Sequence, residues 1–313
     1  MNNFVATIDL GTNTFHLLIA EIQPSKNFSI IYRERIPVMI GQGSINQGFI
    51  TPEAEERALA ALTKFRLKLE DHQVPIDRVH CTATSAFRNA KNGQTLVAKI
   101  KQKTGIVVNV ISGDQEAKYI YYGVRQAIAL SSENSLIMDI GGGSVEFILC
   151  NQEQILWKQS FEIGAQRLLD RFDIQDPITE DNIQALKGYF SEKLVPLSAI
   201  VERHRPKILV GASGTFDTLS EIYQHRDTIQ VEAGATELPL TQAAFQRMLQ
   251  DFSRLNRAQR LAIPGMIEMR VDMIVPAAWL IQYALETYQI HTIQISSYAL
   301  KEGLVTQLAQ RFS

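Results

Sequence analysis

Two short segments of this sequence place an aspartate at the end of an apolar stretch and follow it with a run of small residues. Such a turn exposes backbone N–H groups that bind phosphate, and its small side chains leave room for close approach. The aspartate supplies a hard oxygen ligand for Mg²⁺ bound to the same phosphate. One copy alone would be an ordinary hairpin turn, but two copies at matched positions favour two phosphate-binding loops. The aspartates are Asp9 and Asp139, and the small residues are Gly11, Thr12, Asn13, Thr14, Gly141, Gly142, Gly143 and Ser144.

A third run of small residues follows the apolar stretch 208–210 and precedes a predicted helix. Free amides and the helix dipole make a loop at a helix N-terminus an anion site. A plain connection from strand to helix has the same pattern, so the spacing alone leaves both interpretations open. The candidate phosphate-binding residues of this segment are Gly211, Ser213, Gly214 and Thr215.

Three charged residues are candidates for chemistry beside these loops. Glu116 lies in the first turn of a predicted helix that Ser112 and Gln115 open with capping-box spacing. Acidic residues favour that position in any helix, but the helix dipole would also keep Glu116 ionised, as a general base must be. Arg88 suits bidentate phosphate contact, although a lone arginine is usually a solvated surface residue. Glu146 follows the glycine run, and alternation along the strand leaves its direction open.

The elements that position these residues form an internal repeat. Residues 7–19 and 137–149 each have the pattern of a β-hairpin, in which Gly and Asn are predicted to supply the positive φ angles. A third extended segment follows each hairpin, at 28–36 and at 155–163. Two halves that continue into alternating helices and strands predict two α/β domains with mixed sheets, and a ligand site in the cleft between them.

Further helices are predicted from caps and apolar periodicity. Thr51-Pro52 is a strong helix start, and Ala54, Ala58, Leu62, Phe65 and Leu69 mark one apolar face. Strands are expected at 78–84, 106–111, 208–211 and 292–295. Helices are expected at 95–103, 179–203, 241–253, 265–286 and 299–311.

Composition excludes several classes of protein. The 313 residues carry a net charge of −2, so a strongly basic nucleic-acid-binding surface is not expected. Two cysteines are too few for a disulfide framework or a zinc cluster, and the six histidines lack ligand spacing. The first residues lack a signal-peptide pattern, and no apolar run is long enough to cross a membrane. We therefore expect a cytoplasmic protein that binds neither nucleic acid nor membrane.

Taken together, these segments resemble the exopolyphosphatase/guanosine pentaphosphate phosphohydrolase family, within the duplicated actin-like ATPase superfold (ribonuclease H-like, shared with sugar kinases, Hsp70 and actin). The resemblance runs through almost the whole chain. The matching motifs are residues 8–16, 83–90, 111–117, 139–146 and 211–215, Pro264-Gly265 with Arg270 and Asp272, and Glu302-Gly303.

The resemblance implies a role for each candidate residue. It places the catalytic glutamate at Glu116, the phosphate-contacting arginine at Arg88, and the metal-associated acids at Asp139 and Glu146, with Asp9 at the first loop. It also implies Mg²⁺, or Mn²⁺, as cofactor, and a homodimer. The expected domains are residues 1–124 and 125–298, with the last helix, at 299–313, packing back on the first domain.

Some positions depart from the family pattern. Val145 replaces a threonine in the second loop and removes a hydroxyl, and Gln115 reduces an acidic pair beside Glu116. Ser297 and Lys301 stand where Asp and Arg are common. The chain ends at residue 313, without the C-terminal helical domains of longer members.

The first functional expectation is hydrolysis of the terminal phosphate of inorganic polyphosphate. The alternatives are removal of the 5′ γ-phosphate of guanosine pentaphosphate (pppGpp), a sensor that binds either compound with little turnover, and, last, an ATP-dependent small-molecule kinase.

Overall fold

The structure is a computed structural model that describes residues 3–24 and 27–311. In chain order its strands are β1 (Phe4–Leu10), β2 (Thr14–Ile22), β3 (Phe28–Pro37), β4 (Val79–Ala83), β5 (Val108–Val110), β6 (Ser135–Ile140), β7 (Val145–Cys150), β8 (Ile155–Phe161), β9 (Ile208–Ala212), β10 (Glu237–Leu238) and β11 (Thr292–Ser296). Its helices are α1 (Pro52–Asp71), α2 (Ser85–Asn89), α3 (Gly93–Thr104), α4 (Gly113–Ala127), α5 (Ala165–Arg171), α6 (Glu180–Lys193), α7 (Val195–His204), α8 (Ser213–Asp227), α9 (Gln242–Arg254), α10 (Arg257–Leu261), α11 (Ile274–Tyr288) and α12 (Leu300–Arg311).

The chain divides into two compact units. Unit 1 comprises Met1–Gly123 and Ala299–Ser313, and unit 2 comprises Val124–Tyr298. The division falls within α4, one residue from the boundary expected from the sequence. Each unit is described by itself below.

Each unit contains one mixed sheet, and the two sheets share a plan. In unit 1 the strand order is β3-β2-β1-β4-β5, and in unit 2 it is β10-β11-β9-β6-β7-β8. Three antiparallel strands come first in each unit, β1 to β3 and β6 to β8. A later strand then joins parallel to the first of them, β4 beside β1 and β9 beside β6. This repetition confirms the predicted duplicated α/β fold of the actin-like superfold.

The core of unit 1 contains the apolar residues that the sequence periodicity predicted to be buried. Pro52 begins α1, and the side chain of Thr51 accepts a hydrogen bond from the Ala54 N–H at 3.2 Å. The five apolar positions predicted for this helix are all buried, together with residues of β1, β2 and α3. A second cluster joins Val305, Leu308 and Ala309 of α12 to β1 and β2. The C-terminal helix is therefore part of unit 1.

Two predicted helices were wrong in extent. The single helix expected over 179–203 is two helices, α6 and α7, because Pro196 near the start of α7 has no N–H to continue the first. The helix expected from residue 265 begins only at Ile274. Gly265 has φ of +90°, and a β-carbon there would meet the backbone of Glu221 and Ile222 at 2.8 Å. That conformation excludes a helix start at this point.

Within the residues that the structure describes, no helix has both the length and the apolar character needed to span a bilayer.

Candidate active site

In unit 1 three parallel strands end at one edge of the sheet. The Thr84 N–H donates to the Leu10 carbonyl at 3.3 Å, and the Ile111 N–H donates to the Ala83 carbonyl at 3.0 Å. The ends of β1, β4 and β5 therefore lie side by side. The first candidate loop, the helix that carries Arg88 and the helix that carries Glu116 all begin at this edge, where ligands bind in open α/β sheets.

The first loop is held through its carbonyl groups. The Asn13 carbonyl accepts from the N–H groups of Val38 and Met39, both at 2.9 Å, and the Thr12 carbonyl accepts from the Gly41 N–H at 3.2 Å. Anions are bound by N–H groups, so a turn whose carbonyls bond internally is suited to an anion. Arg57 supports this backing segment by donating to the carbonyls of Val38 and Met39 at 2.8 and 3.1 Å.

Glycine serves a different purpose in these turns from the one predicted. Gly11, Asn13 and Gly141 do not have positive φ angles, so that prediction was wrong at all three positions. A β-carbon at Gly11 would lie 2.9 Å from the Thr14 carbonyl oxygen, and one at Gly141 would lie 3.1 Å from that of Ser144. The tight closure of the turn, rather than a left-handed backbone, requires glycine at both positions.

Glu116 and Arg88 are in direct contact. Ser112 and Gln115 form the predicted capping box at the start of α4, with reciprocal hydrogen bonds of 3.1 and 3.2 Å. Glu116 lies in the first turn of that helix, and its side chain is 8% exposed. Nη1 of Arg88 donates to Oε2 of Glu116 at 2.9 Å and to the Ile111 carbonyl at 3.1 Å. A guanidinium at this distance favours the ionised carboxylate. The sequence indicated both residues but not their contact.

In unit 2, Asp139 and Glu146 form a cross-strand pair. They are directly opposite in the antiparallel register of β6 and β7, so their β-carbons are on one face, about 5 Å apart. Asp139 is 5% exposed and Glu146 is 1% exposed. This register answers the question of direction that the sequence left open for Glu146. Two buried carboxylates side by side repel each other unless a cation or a proton accompanies them.

Each of these carboxylates accepts a hydrogen bond from a serine. The Ser213 hydroxyl donates to Oδ2 of Asp139 at 2.7 Å, and the Ser160 hydroxyl donates to Oε1 of Glu146 at 2.6 Å. The hydroxyl of Ser213, a residue predicted to bind phosphate, is thus in contact with Asp139. Ser160 was not predicted at all.

The second loop is backed by the start of α5. The Gly141 carbonyl accepts from the Ala165 N–H, and the Gly142 carbonyl accepts from those of Gln166 and Arg167, at 2.9 to 3.1 Å. Nε of Arg167 donates to the Gly143 carbonyl at 3.0 Å. The sequence analysis did not predict this contact between α5 and the loop. Gly164 was the available signal, because a β-carbon there would meet the backbone of Gly142 and Gly143 at 2.5 Å.

The third loop starts α8 at the end of β9. Ser213 has φ of +67°, and Gly214 lies against the guanidinium of Arg270, where a β-carbon would be 1.7 Å from Nη2. Thr215 is buried in the first turn of the helix. Val145, the departure in the second loop, packs in the apolar core. Its strand neighbour Glu146 points to the other face because side chains alternate along a strand.

The donor set of unit 2 fits Mg²⁺. No group of three or more His, Cys, Asp or Glu side chains among the described residues could hold a metal ion. Mg²⁺, however, is commonly bound by one or two carboxylates with the substrate phosphates and waters. The pair Asp139 and Glu146, buried with like charge, meets that requirement. Asp9 differs, because its cross-strand partner in unit 1 is His16.

Comparison with known proteins identifies the family. Residues 18–312 match the profile of the Ppx/GppA phosphatase family. The chain belongs to this family. It is similar over 98% of its length, and 98% of the other chain, to an exopolyphosphatase from Cytophaga hutchinsonii, with 44% sequence identity and a TM-score of 0.94. The Ppx/GppA family member from Aquifex aeolicus has the same fold at 23% identity, with a TM-score of 0.81 over 99% of this chain and 98% of its own. The Ppx/GppA match and the similarity to an exopolyphosphatase support the assignment of this chain as a phosphoanhydride hydrolase.

Proposed function

We propose that this phosphatase is an exopolyphosphatase, which removes the terminal phosphate of inorganic polyphosphate with water. The observation that carries the proposal is the buried Glu116 in contact with Arg88, at the edge of the unit 1 sheet where the first loop begins. A buried carboxylate held in its ionised form is equipped to take a proton from water. The 44% identity to a protein described as an exopolyphosphatase supports the choice of substrate.

In the proposed reaction a water molecule attacks the terminal phosphorus in line with the bridging oxygen. Glu116 accepts a proton from this water as the new P–O bond forms. The bond from phosphorus to the bridging oxygen then breaks, giving orthophosphate and a chain shorter by one unit. Phosphoryl transfer depends mainly on positioning and electrostatics, so no covalent nucleophile is required.

The remaining residues stabilise charge and hold the substrate. Arg88 has five N–H donors, so its Nη1 contact with Glu116 is compatible with contact to a phosphate oxygen. In each unit the loop N–H groups are the proposed donors to phosphate oxygens, from residues 11–14 in unit 1 and from residues 142–144 and 212–215 in unit 2. The N–H of Gly141 already donates to the Ser144 carbonyl at 3.0 Å. In unit 2, Asp139 and Glu146 would hold Mg²⁺ or Mn²⁺, which when bound would neutralise charge on the phosphate oxygens.

Hydrolysis of pppGpp is the second candidate, since the sequence resembles a family that comprises exopolyphosphatases and guanosine pentaphosphate phosphohydrolases. The sensor hypothesis loses its main support, because Val145 is packed in the core and does not replace a group on the face of Glu146.

The test is phosphate release from short polyphosphate, long polyphosphate, pppGpp and ATP, by the wild type and by Glu116→Gln. We expect the variant to lose roughly 10²–10⁴ in rate, the usual contribution of a general base. Asp114→Asn is the matched control, because it removes an exposed carboxylate from the same helical turn, and it should retain the wild-type rate within a few-fold. Near-wild-type hydrolysis by folded Glu116→Gln would reject the assignment of the base. Release of phosphate from pppGpp alone would assign pppGpp as the substrate. Release from neither polyphosphate nor pppGpp would reject both candidate functions.

A further inference from the structure

We propose that Ser213 and Ser160 are positioning residues that orient the Asp139–Glu146 pair for a divalent cation. The inference rests on the proposed function, and it extends that function to two side-chain hydroxyl groups that contact neither the phosphate nor the attacking water. Each hydroxyl donates to one oxygen of one carboxylate, Oδ2 of Asp139 or Oε1 of Glu146. Fixing one oxygen of a carboxylate fixes the direction of the other, which is the function of outer partners in metal sites.

The backbone of Ser213 indicates that the hydroxyl is required there. Its φ of +67° lies in the left-handed region, which non-glycine residues seldom adopt and which costs free energy. Glycine would adopt the same conformation without strain, and the next residue, Gly214, is a glycine. Serine is therefore less favourable than glycine for the backbone at this position, which indicates that its hydroxyl has a role that glycine could not fill.

Helix capping does not account for that hydroxyl. The residue before α8 is Ala212, and the start of this helix has no side-chain capping hydrogen bond. The 2.7 Å contact of the Ser213 hydroxyl is made instead to Asp139, 74 residues earlier in the chain, across the parallel pairing of β6 and β9. A hydroxyl needed only for local stability would bond within its own turn.

Ser160 reaches the pair from the opposite side. It is directly opposite Glu146 in the register of β7 and β8, and Glu146 is directly opposite Asp139 in that of β6 and β7. Side chains in one such row share a face of the sheet. Ser160 therefore lies at one end of the row that it forms with Glu146 and Asp139. Ser213 lies at the other end, directly after the strand residue Ala212, which is opposite Asp139 in the register of β6 and β9. The two serine hydroxyls are neutral donors, so these two contacts add no charge that would compete with a cation.

The test compares Ser213→Gly and Ser160→Ala with the wild type, using Mn²⁺ alone as the probe. Mn²⁺ affinity is measured from the free-ion signal in electron paramagnetic resonance, and the melting temperature is measured without metal. We expect Mn²⁺ binding to weaken by about 10–100-fold in both variants, the usual effect of losing an outer partner. Ser213→Gly should also melt ~2–4 °C higher than the wild type, because relief of the left-handed strain stabilises the protein. A structural serine could not give higher stability together with weaker metal binding.

Two conservative variants serve as controls. Ser160→Thr keeps the hydroxyl on a strand, where threonine is favoured, and should restore the Mn²⁺ affinity lost in Ser160→Ala. Ser213→Ala loses the hydroxyl and keeps the strain, so it should bind Mn²⁺ as weakly as Ser213→Gly without the rise in melting temperature.

Neither measurement needs turnover, so failure of the polyphosphatase proposal would leave this result intact. Unchanged Mn²⁺ affinity in Ser213→Gly and Ser160→Ala would overturn the inference. So would a wild-type protein that does not bind Mn²⁺, or a Ser160→Thr variant that binds it as weakly as Ser160→Ala.

Discussion

The two hairpins occupy matching positions in the two sheets, yet they carry different charges. In unit 2, Asp139 is directly opposite Glu146, and Glu146 is opposite Ser160. In unit 1, Asp9 is directly opposite His16, and the next residue in that row is Arg35. The same seven-residue spacing therefore gives two acids in one unit and an acid beside two basic side chains in the other. The two rows share the same register, whereas only the row in unit 2 has the pair of carboxylates on which the proposed metal site depends.

The loops that follow these strands differ in how they are backed. In unit 1 the irregular segment 38–41 donates to the loop carbonyls, and Arg57 supports it from α1. In unit 2 the donors are the first N–H groups of α5, with the side chain of Arg167. A regular helix start presents successive N–H groups in a fixed geometry. The glycine-rich loop, which has the least conformational restriction of its own, is the one supported by a helix.

The largest effect should come from neutralising the acidic pair. Glu146→Gln removes a charge that contributes ~4 kcal/mol per unit of cation charge to a contact about 4 Å away at an effective dielectric constant of 20. We therefore expect phosphate release at limiting Mg²⁺ to fall by at least about 10³-fold. The matched change in unit 1 is His16→Gln, at the equivalent position opposite Asp9, and it should leave the Mg²⁺ dependence unchanged. The measurement is the initial rate as a function of Mg²⁺ concentration. Equal shifts in both variants would show that the row in unit 1 affects the Mg²⁺ dependence as much as the row in unit 2, and the contrast between the two rows would be wrong.

The next largest effect should distinguish the two segments that support the loops, residues 38–41 in unit 1 and the start of α5 in unit 2. Gly164→Ala would bring a β-carbon to 2.5 Å from the backbone of Gly142 and Gly143, which can move only by displacing the loop. Gly41→Ala would meet the tip of the Thr12 side chain at 2.5 Å, and a side chain can rotate away. Neither glycine has a positive φ, so the comparison isolates the steric contact.

We expect Gly164→Ala to lower the free energy of unfolding by about 1–3 kcal/mol, as overpacking usually does, and to reduce phosphate release as well. Gly41→Ala should lower the free energy of unfolding and the rate of phosphate release by smaller amounts. Urea denaturation and initial rates would check this pair, and a larger loss in Gly41→Ala would show that the segment 38–41 is the more rigid support.

Local patterns predicted the elements better than they predicted the contacts. The apolar face of α1, the two hairpins and the capping box at Ser112 all depend on residues within a few positions of each other, and the structure confirms them. The helix expected from residue 265 failed because the backbone of Gly265 depends on close packing against Glu221 and Ile222. Periodicity carries no information on such a distant neighbour.

The contacts of the candidate site depend on strand register, which one sequence does not determine. Ser160 meets Glu146 only through the pairing of β7 with β8, which contains an irregularity at Leu149 and Cys150. Ser213 meets Asp139 across the pairing of β6 with β9. A shift of one residue in either register would turn these side chains to the other face. The residue types were therefore visible in the sequence, but their partners were not.

The smallest expected difference between the two units concerns their buried cysteines, Cys81 and Cys150. Burial raises the pKa of Cys81 well above its ordinary value, and the nearby Asp9 carboxylate raises it further. Burial raises the pKa of Cys150 to about 12, against a weaker opposing effect of Arg125. The folded protein keeps protons that the unfolded chain releases. The resulting stability is therefore complete below the ordinary thiol pKa and is lost as pH rises toward the folded values.

Both thiols should react with a thiol-specific reagent at pH 8 at least ~10³-fold more slowly in the folded protein than in the unfolded chain. Single-cysteine variants, Cys150→Ala and Cys81→Ala, would then report on units 1 and 2 separately. Cys81 lies on β4, whose outer neighbour β5 has three residues, whereas Cys150 lies on β7 between strands of six and seven residues. Shorter flanking strands supply fewer hydrogen bonds against local opening, so the Cys81 thiol should be labelled several-fold faster in low urea. Faster labelling of Cys150 would mean that unit 2, despite its helix-supported loop, opens first. That result would place the Asp139–Glu146 pair in the less stable of the two units.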